Sequence, residues 1–260
     1  MNEYNSQLIR TAKIYLQNNI PLILFHGTTH DGICSCGKSE CTAAGKHPVF
    51  QNPLATQILD ISELEIQLRD NVDRNIAGWI LPGTGLVIVD VDKRNGGIES
   101  FERLIKTHGP LPPTLKVISG GNGFHLYFKI PKEYEAKSFP NKFLGFEGID
   151  LLRNKNAILP GSRHKSGNYY RFDSNKESQN FEIAYLPERY LDLLLFKIRK
   201  EVIHSPEVIP EGERNSSLWK RAVSFFKQGM PEDDIVAKIS EINQSQCNDL
   251  PPIKRTQNSC

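Results

Sequence analysis

Apolar residues in this chain recur first at helical and then at alternating spacing, and each change of period marks an element. In SQLIRTAKIYLQNN, Leu8, Ile9, Ala12, Tyr15 and Leu16 fall on one helical stripe, and PLILF after it reads as a short strand. Residues 26–48 have no apolar period, so they are predicted to form a loop that needs something to hold it. A second helix is predicted from about Ser62 to Leu68. The text GWILPGTGLVIVDVD then turns at Pro82 to Gly85 and runs into a β-branched strand, predicted to be central, that ends on two acids. IESFERLIKTHG is amphipathic, with Ile98, Phe101, Leu104 and Ile105 on one face and Gly109 as its C-cap.

Beyond this helix, LKVIS and FHLYFKI flank Gly120, Gly121, Asn122 and Gly123, which predicts a hairpin with a four-residue loop. Alternation places Phe124, Leu126, Phe128 and Ile130 on the apolar face and turns His125, Tyr127 and Lys129 away from it. GIDLLR, NAILPGS and NYYRF read as short strands, and YLDLLLFKI as a closing helix. The expectation is an α+β domain over 1–198 and a linker over 199–213, where periodicity fails and two prolines occur. A small helical segment follows over 214–260. There Gly229 ends one helix and Pro231 opens another, whose Ile235, Val236, Ile239 and Ile242 line one face.

A length of 260 residues with 24% charged and 38% hydrophobic residues fits one full core plus an appendage, and excludes collagen-like or wholly disordered chains. No apolar run approaches the roughly 18 residues needed to span a bilayer, and the start MNEYNSQLIR lacks a signal-peptide apolar region. The expected location is the cytoplasm, with no membrane partner. A net charge of +2 is too small to announce nucleic-acid binding, so any basic groove must come from local clustering.

The chemistry is concentrated at the end of the predicted central strand. Asp90 and Asp92 are two residues apart, so their side chains leave one face. Such a pair suits two hard divalent cations that activate a hydroxyl and neutralise a leaving pyrophosphate. The apolar strand residues LVIV that run into Asp90 bring these charges close to the core, where they repel unless compensated. His125 follows a glycine loop able to approach a phosphate, and Asp150 is a single acid within an apolar strand. A metal-dependent D-x-D glycosyltransferase acting on a nucleotide sugar uses the same pair. A non-catalytic, zinc-stabilised nucleic-acid-binding module is a third reading.

Cys34, Cys36, Cys41 and His47 follow a C-x-C-x4-C-x5-H pattern, the donor set of a closed structural Zn2+ site, with His26 and His30 as substitute fourth ligands. Cys247 and Cys260 stand apart in the tail. Gly32, Gly37, Lys38 and Ser39 also satisfy the P-loop spacing, but that loop must follow a strand and open a helix. Residues 39–48 carry Gly45 and Pro48 and no helical face, so the P-loop reading is set aside.

The order of these pieces resembles the bifunctional primase-polymerase family of the archaeo-eukaryotic primase superfamily. LVIVDVD resembles its first motif, SGGNGFHLYF its second, and Ile149 with Asp150 its third; a cysteine loop ending in GKHP also occurs in relatives. The resemblance implies a palm related to the RNA-recognition fold, with Asp90, Asp92 and Asp150 holding two Mg2+ or Mn2+ ions. It further implies that His125 contacts the triphosphate of the incoming nucleotide. The family often carries a hydroxyl residue two positions before this histidine, where this chain has Gly123, so Ser119 or Ser162 is the expected substitute. Ser162, Arg163, His164 and Lys165 lie in a stretch that resembles the one after the family's third motif, which makes them candidates for nucleotide or template phosphate. By the same resemblance 1–198 is a catalytic domain for template-directed synthesis of primers and DNA. Its substrates are single-stranded DNA template, primer and nucleoside triphosphates. The tail, with Arg214 and Asn215 as its notable polar positions, looks like the helical segment that often precedes a helicase, the expected further partner.

Overall fold

A computed structural model of the chain describes residues 3–52, 55–70, 73–81, 83–143, 145–203, 214–227 and 232–246. Helix α1 (Glu3–Gln17) leads into strand β1 (Leu22–His26); the cysteine loop follows, then α2 (Ile61–Gln67), β2 (Arg74–Ile80) and β3 (Leu86–Val91). A single 3-10 turn, Lys93–Asn95, joins β3 to α3 (Gly97–His108), and β4 (Lys116–Ile118) and β5 (Phe124–Lys129) form the predicted hairpin. After α4 (Lys132–Glu135) come β6 (Ile149–Leu152), β7 (Lys155–Ile158), β8 (Arg171–Phe172), α5 (Lys176–Gln179), β9 (Ala184–Tyr185) and α6 (Glu188–Ile203). The tail contains α7 (Arg214–Lys227) and α8 (Glu232–Gln246).

The strands form two sheets. A small antiparallel one has the order β1-β2-β7, and a larger one has the order β6-β3-β5-β4-β8, with β9 running parallel beside β5. Helices with mainly antiparallel strands give an α+β architecture. Strand β3 lies inside the larger sheet, between β6 and β5, as its unbroken apolar run predicted.

Both faces of the larger sheet are covered, which corrects one expectation. Val87, Val89 and Val91 of β3 pack with Leu126, Phe128, Ile149 and Leu151, under Leu104 of α3, Tyr134 of α4 and Tyr190, Leu191 and Leu194 of α6. The opposite face, carrying Leu86, Ile88, Tyr127 and Leu152, belongs to a second core shared with α1 and the small sheet. Tyr127 and His125 are therefore buried, where alternation alone had turned them outward. The Tyr127 hydroxyl meets that of Tyr15 on α1 at 3.1 Å, so a polar-looking position is absorbed by a distant partner.

Strand β2 was not anticipated from the sequence, where no element was assigned to residues 74–80. RNIAGWI has no alternation because it is the middle strand of its sheet and is buried from Asn75 to Ile80. At Gly78 a Cβ would lie 3.0 Å from Ile20 and 3.5 Å from the Tyr15 ring, so the glycine lets α1 close onto the sheet.

Residues 1–195 and 196–260 form two compact units. The linker expected from 199 starts too early, because α6 continues to Ile203. Within the second unit α7 and α8 are both present; Leu218, Phe225 and Ile235 are buried, and Arg214 Nε donates to Asn243 Oδ1 at 2.7 Å. Val236 is 52% exposed and leaves the face assigned to it. Positions 204–213, Gly229, Pro231, Cys247 and Cys260 lie outside the described residues, as does Pro82. Among the described residues no helix is long and apolar enough to cross a membrane.

Candidate active site

Register brings three of the singled-out side chains into one row. Asp90 pairs with His125 on one side and with Asp150 on the other, so Asp150, Asp90 and His125 stand abreast across β6, β3 and β5. Directly paired residues share a face, here the one that carries Ile88, Tyr127 and Leu152 deeper in the sheet. Asp92 follows β3 by one residue and caps the 3-10 turn.

Each carboxylate currently has a basic neighbour. His125 Nε2 lies 3.4 Å from Asp90 Oδ1, and Lys142 Nζ lies 3.9 Å from Asp150. Asp92 accepts from the Arg94 backbone N–H at 3.0 Å, from Arg94 Nη2 at 3.2 Å and from Asn95 Nδ2 at 3.0 Å. Burial alone would raise the Asp92 carboxyl, but the Arg94 hydrogen bonds outweigh it and hold the group below its usual range. All three acids remain partly open to solvent, and hard oxygen donors of this kind suit Mg2+ or Mn2+. Their oxygens do not converge on one point as the cysteine cluster's donors do.

His125 is only 5% exposed, and its Nδ1 is buried with no hydrogen-bond partner. Burial lowers its pKa against the pull of Asp90, so the ring is neutral at pH 7. A cleft of about 450 Å3 opens beside it, lined by Asp90, His125, Lys46, Tyr170, Asn156 and Phe25 among others.

The turn after β3 is clasped by glycines for steric reasons. A Cβ on Gly123 would stand 2.1 Å from the Val91 carbonyl oxygen, and one on Gly97 would stand 2.6 Å from the Asp92 carbonyl oxygen. The absence of a hydroxyl residue two positions before His125 thus has a cause: no side chain fits there. Ser119, the proposed substitute, uses its Oγ to accept from the Gly123 N–H at 3.1 Å and closes the hairpin.

The stretch from Ser162 to Lys165 divides. Ser162 is wholly buried and its hydroxyl both accepts from and donates to the Ile76 backbone, so it faces β2 and not the cleft. Arg163, 4% exposed, donates to the Thr28 carbonyl at 2.7 Å and to Asp73 at 2.9 Å, with its guanidinium over the rings of Tyr4 and Tyr169. Arg163 thus ties the cysteine loop at Thr28 to its own segment, and Ser162 ties that segment to β2, so both polar side chains are engaged within the protein and not turned to the cleft. His164 is different: its Nδ1 accepts from the Ser166 N–H, placing the remaining proton on Nε2, and its ring lies under Gly120 and Gly121. Burial and the charges of Lys46, Arg94 and Lys165 push its pKa down to about 4. Lys165 is exposed.

Cys34, Cys36, Cys41 and His47 converge, with donor atoms all within 4.8 Å of one another. Both Cys34 Sγ and Cys41 Sγ approach His47 Nε2, at 3.3 and 3.4 Å. A tetrahedral zinc with Zn–S near 2.3 Å and Zn–N near 2.0–2.1 Å sets that edge at about 3.5 Å, so the cluster is compatible with zinc. A backbone hydrogen bond from Lys38 holds the Cys36 thiol down to about 7, favouring the thiolate that binds metal. His26 stacks on His47 at 4.6 Å between ring centres and shares its Nδ1 with Ser35, so it supports the fourth ligand instead of replacing it. His30 is outside the cluster. No helix follows Ser39, in keeping with the rejected P-loop reading.

Lys46 was not legible as a site residue. It is placed beside Asp90 and Asp92 by the loop fold, and only its position in GKHP, next to the zinc ligand His47, hinted at a role.

A mainly antiparallel sheet thus presents acids in register at one strand end, beside an open cleft. Residues 14–189 match the family model described as "Bifunctional DNA primase/polymerase, N-terminal", and the chain belongs to that family. No curated protein matches the chain.

Proposed function

We propose that the protein is a DNA primase-polymerase that carries out template-directed nucleotidyl transfer on single-stranded DNA. The observation that carries this reading is the Asp150–Asp90–His125 row with Asp92 just beyond it, set at the rim of a cleft. Asp90, Asp92 and Asp150 would hold Mg2+ or Mn2+, which when bound supply charge neutralisation at the transferred phosphate. The chain's own contribution is positioning: β3 and its two neighbours fix the carboxylates, and the glycine clasp fixes the turn that presents Asp92. His125 is assigned to the nucleotide's phosphates. Its neutral ring and unpartnered nitrogen support a hydrogen-bonding role, not that of a fixed cation.

Strand order supports the palm as RNA-recognition-like. Taking β3, β4, β5 and β6 as first to fourth gives the order fourth-first-third-second, with α3 between the first two strands, as in a split βαβ sheet. Helices α3, α4 and α6 cover one face, and the aspartate row lies on the other, beyond the part that α1 and the small sheet cover. A D-x-D glycosyltransferase is disfavoured by the family match and by this order. A helicase acting with the 214–260 segment, and a cytoplasmic location, complete the proposal.

The deciding assay incubates the protein with single-stranded DNA, labelled nucleotides and Mg2+ or Mn2+, with and without a primer. Products in both arms are expected; none in either would end the polymerase reading. For the cysteine cluster, metal analysis should find about one zinc per chain, and Cys36→Ser should lower the thermal midpoint. A metal-free wild type of equal stability would remove zinc from the account.

A further inference from the structure

We infer that Lys46, carried into the catalytic cleft by the cysteine loop, binds the phosphates of the incoming nucleotide, making that loop an arm of the active site as well as a structural clip. The inference rests on the polymerase reading for the identity of the nucleotide, and on the geometry alone for the anion.

The backbone around Lys46 is pinned on both sides. Gly45 O accepts from Asn75 Nδ2 at 2.9 Å, and Asn75 is itself fully buried and bonded to Arg163. His47 O accepts from the His26 N–H at 3.0 Å, and Val49 N–H donates to Leu24 O at 3.0 Å, which ties the next residues to β1. A Cβ at Gly45 would meet Asn75 and Thr28 at 3.0 Å, so the loop lies tight against the sheet at this point. A lysine held this firmly is presented to a fixed place, and that place is the cleft lined by Asp90, His125 and Tyr170.

Its surroundings favour an anion. Lys46, Arg94 and Lys165 come from three separate segments, and their charges converge on His164. Like charges gathered from distant parts of the chain repel unless a counter-charge arrives. Asp92 already answers Arg94 as an ion pair, but among the described residues neither Lys46 nor Lys165 forms one, and Asp90 and Asp92 act on Lys46 only through space. In the reaction Asp90 and Asp92 must face the transferred phosphate, so the rest of a triphosphate extending past them meets Lys46. Template phosphates share this chemistry, but nothing requires them to reach as far as Asp90.

The test uses the full chain with Lys46→Gln and Lys46→Arg. Zinc content and thermal midpoint are measured first. Next come binding of a non-hydrolysable nucleoside triphosphate by calorimetry, nucleotide KM and kcat in primer extension, and a single-stranded DNA titration. Lys46→Gln should weaken triphosphate binding by about ten- to a hundredfold, the loss expected for a hydrogen bond to a charged group. KM should rise in step, with zinc content and DNA affinity unchanged, and Lys46→Arg should recover most of the loss. Unchanged triphosphate binding, or a loss of DNA affinity in its place, would overturn the assignment. A wild type that binds triphosphate through Lys46 yet makes no DNA would sink the polymerase reading and leave this one standing. Normal synthesis with an unaltered KM in Lys46→Gln would do the reverse.

Discussion

Asp90→Asn should reduce primer extension by at least about a thousandfold while leaving the protein folded, because it removes charge from the centre of the row and almost nothing else. Asparagine keeps the shape of aspartate and an oxygen that can still face His125 Nε2. The side chain is 29% exposed, so no buried hydrogen-bond network depends on its ionisation. Removing one of several neighbouring negative charges also relieves repulsion, and the thermal midpoint should stay level or rise. Asp92→Asn and Asp150→Asn should follow the same pattern. Asp92→Asn should be the most disturbing to the fold, since it weakens the Arg94 and Asn95 contacts that cap the turn. The measurement is single-nucleotide extension on a primed template, with circular dichroism melts of each variant. Extension by Asp90→Asn close to wild type would remove that residue from the catalytic centre, whatever its place in the register.

The members of the candidate row were legible because their signals are local. LVIVDVD announces a buried strand that ends on acids, SGGNGFHLYF announces a hairpin with a histidine one residue into its second strand, and the cysteine spacing announces a metal-sized cluster. What pattern could not supply is the register that sets Asp90 between His125 and Asp150, since pairing is decided between segments tens of residues apart. The larger misreadings have one source. Arg163 looks like a solvated phosphate ligand until Tyr4, 159 positions away, and Asp73, 90 positions away, enclose it. Tyr127 looks outward until α1 covers it. Lys46 shows no period, cap or motif geometry, and becomes a site residue only when Asn75 and β1 fix the loop that carries it. In each case the residue's own neighbours in sequence carry no trace of the partner that decides its role.

Gly123→Ser distinguishes the geometry of this chain from the pattern of its relatives. Resemblance alone predicts a gain, since the substitution restores the hydroxyl residue that the family often places two positions before the histidine. The structure predicts a loss, because the new Cβ would stand 2.1 Å from the Val91 carbonyl oxygen, and that oxygen belongs to a strand backbone that cannot swing aside as a side chain can. Relief requires β5 to shift against β3, at a cost of about 2 to 4 kcal/mol in stability. The same shift carries His125 away from Asp90, and a displacement near 1 Å in a positioned site can cost about a hundredfold in rate. Gly121→Ser provides the control: in the same loop its Cβ would find nothing closer than 3.8 Å, so its melting curve should match the wild type. Thermal melts of both variants, with extension assays run well below their midpoints, separate lost fold from lost geometry. If Gly123→Ser melts and extends like the wild type, the close approach of β5 to Val91 is not what sets this residue, and the missing hydroxyl needs another explanation.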